Sequence, residues 1–486
     1  MLEIAHAHCR VARNKYLSVE RFVLEQGQHW CVFGGNGAGK TLFVQLLTAK
    51  LHSGRSKVTY ASGFSLNDVE FVSFEEQQRL WELDARHDIS EYCADAQDQG
   101  TTVAKLVLGE AEANTSYREI MGSLQLLSLQ DRGIRFLSSG QMRKAQLARA
   151  LYRQPKLLVM DEPLESIDSA SRSHIVSALN KWMTPHNASI LVCRREKDIL
   201  AGVSHLLLMQ DLKLVVQGKK EEVLISESFQ NFRSKKHKEI KLPIAGQFSA
   251  TELSPNTPLI ELRDVTAGYG DSTIIDKLSW KMMPSHHTLI EGPNGCGKST
   301  LLNLLCGENH KAYGQEVYLF GRKRGTGESV WEVKAHFGIV SNELHNKYLK
   351  SWRVSDVVVS GYYDSVGLYQ EAGALEQAMA LQWLSAFGLH GAVNDEYGRL
   401  SFGQQRLVLL ARAMIKRPRI LILDEPCVGL DDEHRRLILD AIDRIASTGG
   451  TQIIFVSHLA DEYPNCINQR LSFRDTGIEL HEECVD

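Results

Sequence analysis

The stretch Gly34-Gly35-Asn36-Gly37-Ala38-Gly39-Lys40-Thr41 decides the fold, because it recurs as Gly292-Pro293-Asn294-Gly295-Cys296-Gly297-Lys298-Ser299. Each copy follows a short apolar run, Trp30-Cys31-Val32-Phe33 or Thr288-Leu289-Ile290, that reads as a buried strand. Each runs into a predicted helix, Thr41 to Leu47 or Thr300 to Leu305. Backbone N–H groups converge on phosphate oxygens only where side chains are absent, and these glycines supply that condition. Lys40 and Lys298 then set a cation against terminal phosphates, while Thr41 and Ser299 offer a hydroxyl to Mg2+.

Two further blocks repeat in register. Leu137-Ser138-Ser139-Gly140-Gln141 returns as Leu400-Ser401-Phe402-Gly403-Gln404, and the apolar runs 156–160 and 419–423 end in Asp161-Glu162-Pro163 and Asp424-Glu425-Pro426. The loop lysines stand 258 residues apart, and the later serines and aspartates 263 apart. A nearly constant offset means a duplicated domain. The expected organisation is a first domain over 1–225, a linker over 226–258 and a second domain over 259–486. The linker reading rests on the basic run Arg233, Lys235, Lys236, Lys238 and Lys241, followed by Pro243, Pro255 and Pro258. Strands and helices alternate as an α/β fold requires. Residues 75–135 and 343–399 lack β-branched runs and read as a helical subdomain inserted into each half.

Composition narrows the function. A net charge of −4 over 486 residues argues against a constitutive nucleic-acid coat. The 9 cysteines form no Cys-x-x-Cys pair, which fits a reducing compartment rather than disulfides or structural zinc. His286-His287 reads as a solvated turn after Pro284, and Cys296 as a tolerated small residue. The start MLEIAHAHCRVARNK has no apolar core of a signal peptide, and no apolar run is long enough to span a membrane. The expected location is the cytoplasm, or the cytoplasmic face of the inner membrane if a partner chain supplies the span.

Asp161 and Asp424, at the ends of buried strands, are placed to hold Mg2+, and Glu162 and Glu425 to polarise an attacking water. With the Leu-Ser-x-Gly-Gln strings just upstream, the chain resembles the ATP-binding-cassette (ABC) ATPases over both halves. The resemblance implies a P-loop NTPase fold twice over, ATP and Mg2+ as ligands, and ATP hydrolysis. It also implies that each signature, Ser138 to Gly140 or Ser401 to Gly403, caps the γ-phosphate held by the other half. Two composite sites in one chain follow, an intramolecular dimer. Phe402, at the third place of its signature, is expected to crowd the phosphate it caps.

The copies diverge at positions the family uses. The switch histidine is present as Val456-Ser457-His458, whereas the first half reads Val192-Cys193-Arg194. Arginine stays protonated and accepts no hydrogen bond. The adenine-stacking aromatic is matched by Tyr269, and the first half has Cys9 near that place, with Tyr16 a loose substitute. The partner-sensing glutamine is replaced by Asn342 and by Phe74-Glu75. Hydrolysis is therefore expected at the second loop (Gly292, Asn294, Gly295, Gly297, Lys298, Ser299, Thr300) with Glu425 and His458. The first loop (Gly34, Asn36, Gly37, Gly39, Lys40, Thr41) with Glu162 mainly binds.

Three classes stay open: a transport ATPase working with a membrane permease subunit, a soluble ABC ATPase of translation or DNA repair, and a nucleotide-gated binding module. The Ser73-Phe74-Glu75 string, the missing first histidine and Leu400-Ser401-Phe402-Gly403-Gln404-Gln405-Arg406 are similar to the ModF type of tandem ATPase, a family assigned to molybdate transport. Molybdate is implied by that resemblance alone, and no oxyanion pocket is expected in an ATPase half.

Overall fold

The computed structural model describes all residues except 13–14, 52–56, 87–99, 166, 235–239, 244–253, 255, 270–271, 308–313, 459–461, 475–476 and 483–486. It divides into two compact units, Met1–Lys236 and His237–Asp486.

The first unit begins with β1 (Leu2–Ala12), β2 (Lys15–Leu24) and β3 (His29–Phe33), then α1 (Lys40–Leu47), β4 (Lys57–Tyr60) and β5 (Val69–Val72). A helical stretch follows: α2 (Phe74–Arg86), α3 (Val103–Leu108), α4 (Thr115–Ser123) and α5 (Ser139–Arg153). The chain returns through β6 (Leu157–Asp161), α6 (Ser169–Trp182), β7 (Ala188–Cys193), β8 (His205–Gln210) and β9 (Lys213–Lys219), ending in α7 (Lys220–Ile225) and α8 (Glu227–Arg233). These strands form one nine-stranded sheet in the order β4-β1-β2-β9-β8-β3-β7-β6-β5. Its half from β8 to β5 is parallel around β3, β7 and β6.

The second unit repeats the plan with β10 (Ile260–Tyr269), β11 (Ser272–Met282), β12 (Thr288–Glu291), α9 (Lys298–Leu305), β13 (Glu316–Leu319), β14 (Arg322–Lys323), α10 (Val330–Ala335) and β15 (Phe337–Val340). Its helical part holds α11 (Asn342–Lys347), α12 (Val354–Val359), α13 (Ala374–Ala386) and α14 (Phe402–Met414). Then come β16 (Ile420–Asp424), α15 (Asp432–Ser447), β17 (Gln452–Ser457), β18 (Gln469–Arg474) and β19 (Gly477–Glu482). Here the strands split into a four-stranded antiparallel sheet, β11-β10-β13-β14, and a six-stranded sheet, β15-β16-β17-β12-β18-β19.

Each parallel sheet is apolar on both faces. Alternate residues of β3 serve different cores: Cys31 and Phe33 pack with the helical side, Trp30 and Val32 with α1 and the antiparallel strands. That is the period of two expected of a strand buried on both sides. The antiparallel layers β1–β2 and β10–β11 are additions to the sequence reading. No helix among the described residues is long and apolar enough to cross a membrane.

Two expectations need correction. Residues 227–233, read as the start of the linker, form α8: Ser226 caps it by accepting from Phe229 N–H at 3.3 Å. Phe229 is buried and its ring lies 5.4 Å from that of Phe33. Further along, Ile240 is buried in a core of the second unit. The turn at His286-His287 is half-buried rather than solvated, because its imidazoles tie strands together. Nδ1 of His287 accepts from Ile453 N–H at 3.1 Å, and Nδ1 of His286 lies 2.9 Å from the Gln469 amide.

Candidate functional site

Both glycine loops leave the carboxyl end of a central parallel strand and enter a helix, the place where α/β sheets bind ligands. The last glycine of each is left-handed, with φ of 98° at Gly39 and 111° at Gly297, so a side chain there would be strained. Lys40 and Lys298 are buried, and each ammonium donates to two loop carbonyls at 2.8 Å: Gly34 and Gly35, or Gly292 and Pro293. Thr41 and Ser299 are exposed in the first helical turn, and Thr300 is buried.

The strand-end carboxylates come to these loops. The Thr41 hydroxyl donates to Asp161 Oδ2 at 3.1 Å. Burial pushes the Asp161 carboxyl above its usual range, with the Thr41 hydroxyl and the Lys40 ammonium pulling the other way. Asp424 is pushed up to about 6, by burial first and then by the neighbouring Glu425 charge. Glu162 and Glu425 adopt the same rare backbone, with φ of 49° and 50°. Each N–H is bonded to the neighbouring strand at 3.1 Å, on Val192 O and Val456 O. Two non-glycine residues held in this conformation at matching places mark a built site.

What faces each glutamate differs. In the second half Nδ1 of His458 lies 3.0 Å from Glu425 Oε1. Burial acts to raise Glu425, but the hydrogen bond and charge of His458, with Lys298 and Arg406, outweigh it and hold the carboxyl below its usual range. In the first half the Arg194 guanidinium is ion-paired to Glu162 and also to Glu165, the latter at 2.6 Å. Glu165 was missed in the sequence. Its signal is an acid three residues after Glu162, where the second half has Val428.

The signature strings are helix starts. Ser138 caps α5 and Ser401 caps α14, each in a capping box with Gln141 or Gln404. The serine oxygens accept from Gln141 N–H at 3.2 Å and Gln404 N–H at 3.3 Å, which leaves their O–H protons for another acceptor. Gly140 is half-buried in the first turn of α5. Gly403 is bare for a local reason: a Cβ there would meet the His434 ring at 2.2 Å.

Phe402, expected to crowd a phosphate, packs on neighbours in its own half. Its ring lies 4.7 Å from the His345 ring and 5.2 Å from the Arg406 guanidinium, and it covers Gly429 within its own half. Arg406, also missed, is buried and donates to Asn342 Oδ1 and, at 3.2 Å, to Ser341 O. Asn342 is thus held by its own half, while Phe74, at the matching helix start, is 51% exposed. Tyr269 ends β10, and its side chain lies outside the described residues. Cys9 is buried in the core beside α1.

Residues 17–165 and 275–428 match the ABC transporter family. An ABC transporter ATP-binding protein of Escherichia coli (strain K12), ModF, is 36% identical over 98% of this chain and 97% of its own length. An uncharacterised ABC transporter ATP-binding protein of Schizosaccharomyces pombe is 25% identical over 95% of both chains. Among solved structures, an archaeal ribosome recycling factor crystallised with a ribosomal stalk protein shares the fold with a TM-score of 0.61 at 18% identity, over 96% of this chain and 86% of that one. The chain therefore belongs to the ABC transporter ATP-binding family, as an ATPase with two tandem ATP-binding domains.

Proposed function

We propose that the second half hydrolyses ATP and that the first half holds its nucleotide with little turnover. The carrying observation is the 3.0 Å contact of His458 with Glu425, set against the Arg194–Glu162 ion pair. Glu425 takes the proton of a water attacking the γ-phosphorus. His458 fixes the carboxylate and can share a proton, and Lys298 neutralises the phosphates. In the first half Glu162 is bound to a permanent cation, which occupies the oxygen a water would need.

The Thr41 hydroxyl with Asp161, and Ser299 with Asp424, are hard oxygen donors at loops that cradle phosphates, a set suited to Mg2+. When bound, the ion would offset the negative charge of the phosphates, held by these hydroxyl and carboxylate oxygens. The serine protons and helix starts of the two signatures suit a phosphate group.

The E. coli relative supports coupling to a membrane permease subunit, with molybdate the cargo that the ModF-type resemblance implies. Turnover of Glu425→Gln and Glu162→Gln tests the catalytic reading: a loss of about 10²–10⁴-fold is expected only in the first, and equal losses would sink it. Co-purification of an integral membrane subunit from detergent extract tests the coupling.

A second reading, a soluble ABC ATPase of translation or repair, is favoured by exposed Phe74 and self-held Asn342 where a partner-sensing glutamine is expected. Ribosome co-sedimentation of Glu425→Gln would support it.

A further inference from the structure

We infer that the first half carries a second ligand site, a cation-rich cavity at the edge of its sheet that takes a small molecule bearing a phosphate dianion. The cavity holds about 550 Å3, within the range of small-molecule sites. Lys50, Arg79, Arg149 and Arg153 line it against Glu70 and Glu76, an excess of two positive charges.

The place is distinct from the ATP loop. Val69 to Phe71 line the cavity at the amino end of edge strand β5, which runs parallel to β6, β7 and β3. The glycine loop leaves the carboxyl end of β3, so the two sites lie at opposite ends of the same strands. Lys50 follows the far end of α1.

The cations are held but not neutralised. Arg79 pairs with Glu76 at 2.7 Å, Arg153 pairs with Glu70, and Arg149 is shared between Glu76 at 3.1 Å and Glu70 at 3.6 Å. Three guanidinium groups thus draw on two carboxylates. Lys50 stands on the Phe71 ring face, 4.1 Å from its centroid, not on an acid. Arg149 is buried, and its Nε has no hydrogen-bond partner. Buried polar atoms are rarely left so, and planar guanidinium forks match phosphate oxygens in pairs.

The second half does not build this site. Arg412, at the place of Arg149 one repeat on, donates to the Tyr348 hydroxyl at 2.6 Å and to Ser365 O at 3.1 Å, with no carboxylate in the set. At the place of Arg153 the second half has Lys416, paired with Asp364, so the cluster of three arginines on two glutamates belongs to the first half.

Calorimetric titration of the full chain tests this, with Mg2+ and a saturating non-hydrolysable ATP analogue occupying both glycine loops. Inorganic phosphate and 3-phosphoglycerate are the two probes. One equivalent per chain is expected, weakened about tenfold or more by Lys50→Ala or Arg153→Ala. Both side chains are exposed, so these variants should keep the wild-type melting curve. Tighter binding of 3-phosphoglycerate assigns the volume to an organic phosphate, and tighter inorganic phosphate to the free ion; either supports the site. No binding of either probe at millimolar concentration, or unchanged affinity in both variants, overturns it.

Discussion

The Arg194 guanidinium closes on Glu162 at the position where, in the second half, an imidazole of His458 faces Glu425 at 3.0 Å. The two glutamates share backbone angle and backbone hydrogen bond, so side chains alone make the difference. Converting the first half should then need little more than Arg194→His with Glu165→Val, the residues that the second half carries. In a Glu425→Gln background that pair should raise phosphate release about tenfold or more over the background alone. Failure to gain activity would show that the ion pair is not what silences the first half.

The same contact has a stability consequence. Arg194 holds two carboxylates together with only 14% of its own side chain exposed. Arg194→Ala leaves Glu162 and Glu165 as neighbouring like charges without the guanidinium that joins them, and breaking a buried pair costs about 3 kcal/mol. Adding Glu165→Ala should return part of that loss. A double-mutant cycle by denaturant unfolding measures the coupling, and strict additivity would place Glu165 outside the network.

How much of this was legible beforehand follows from what each feature needs. The glycine loops, strand-end acids and signature strings demand fixed residue types at fixed spacing, so sequence placed them. Arg194 was visible as a missing histidine, but its hold on Glu165 was not. The two stand 29 residues apart, on different elements, and no spacing rule links them. The antiparallel layers β1–β2 and β10–β11 were missed because their outward faces break up the apolar runs. The linker began too early because a short helix with two inward phenylalanines, Phe229 and Phe232, has too few turns to show a period. The packing of Phe402 was not legible because it depends on the absence of a side chain at Gly429, 27 residues on.

That absence makes Phe402 and Gly429 a matched pair. A Cβ at residue 429 would meet the Phe402 ring at 2.4 Å, and the backbone there is left-handed with φ of 83°. The first half has serine at both corresponding places, Ser139 and Ser166. Gly429→Ser should cost about 3 kcal/mol, from overpacking and from left-handed strain together. In a Phe402→Ser background only the strain remains, about 1–2 kcal/mol. Equal losses in both backgrounds, measured by chemical denaturation, would disconnect the pair.

Asp424 is a carboxyl kept at the site against stability. Its ordinary value of 3.8 is raised to about 6 in the fold. Between those two values the folded state binds more protons than the unfolded one, so stability falls as pH rises through the window. A shift of that size corresponds to about 3 kcal/mol lost by neutral pH. Asp424→Asn removes the buried charge while keeping the shape. Without Mg2+ or nucleotide, that variant should melt higher than the wild type at pH 7.5, and the gap should close as pH drops towards 4. The same variant should lose ATP turnover, because the strand-end carboxylate charge that suits Mg2+ is gone. A melting gap that is flat with pH would mean that the Asp424 charge is not what the fold resists.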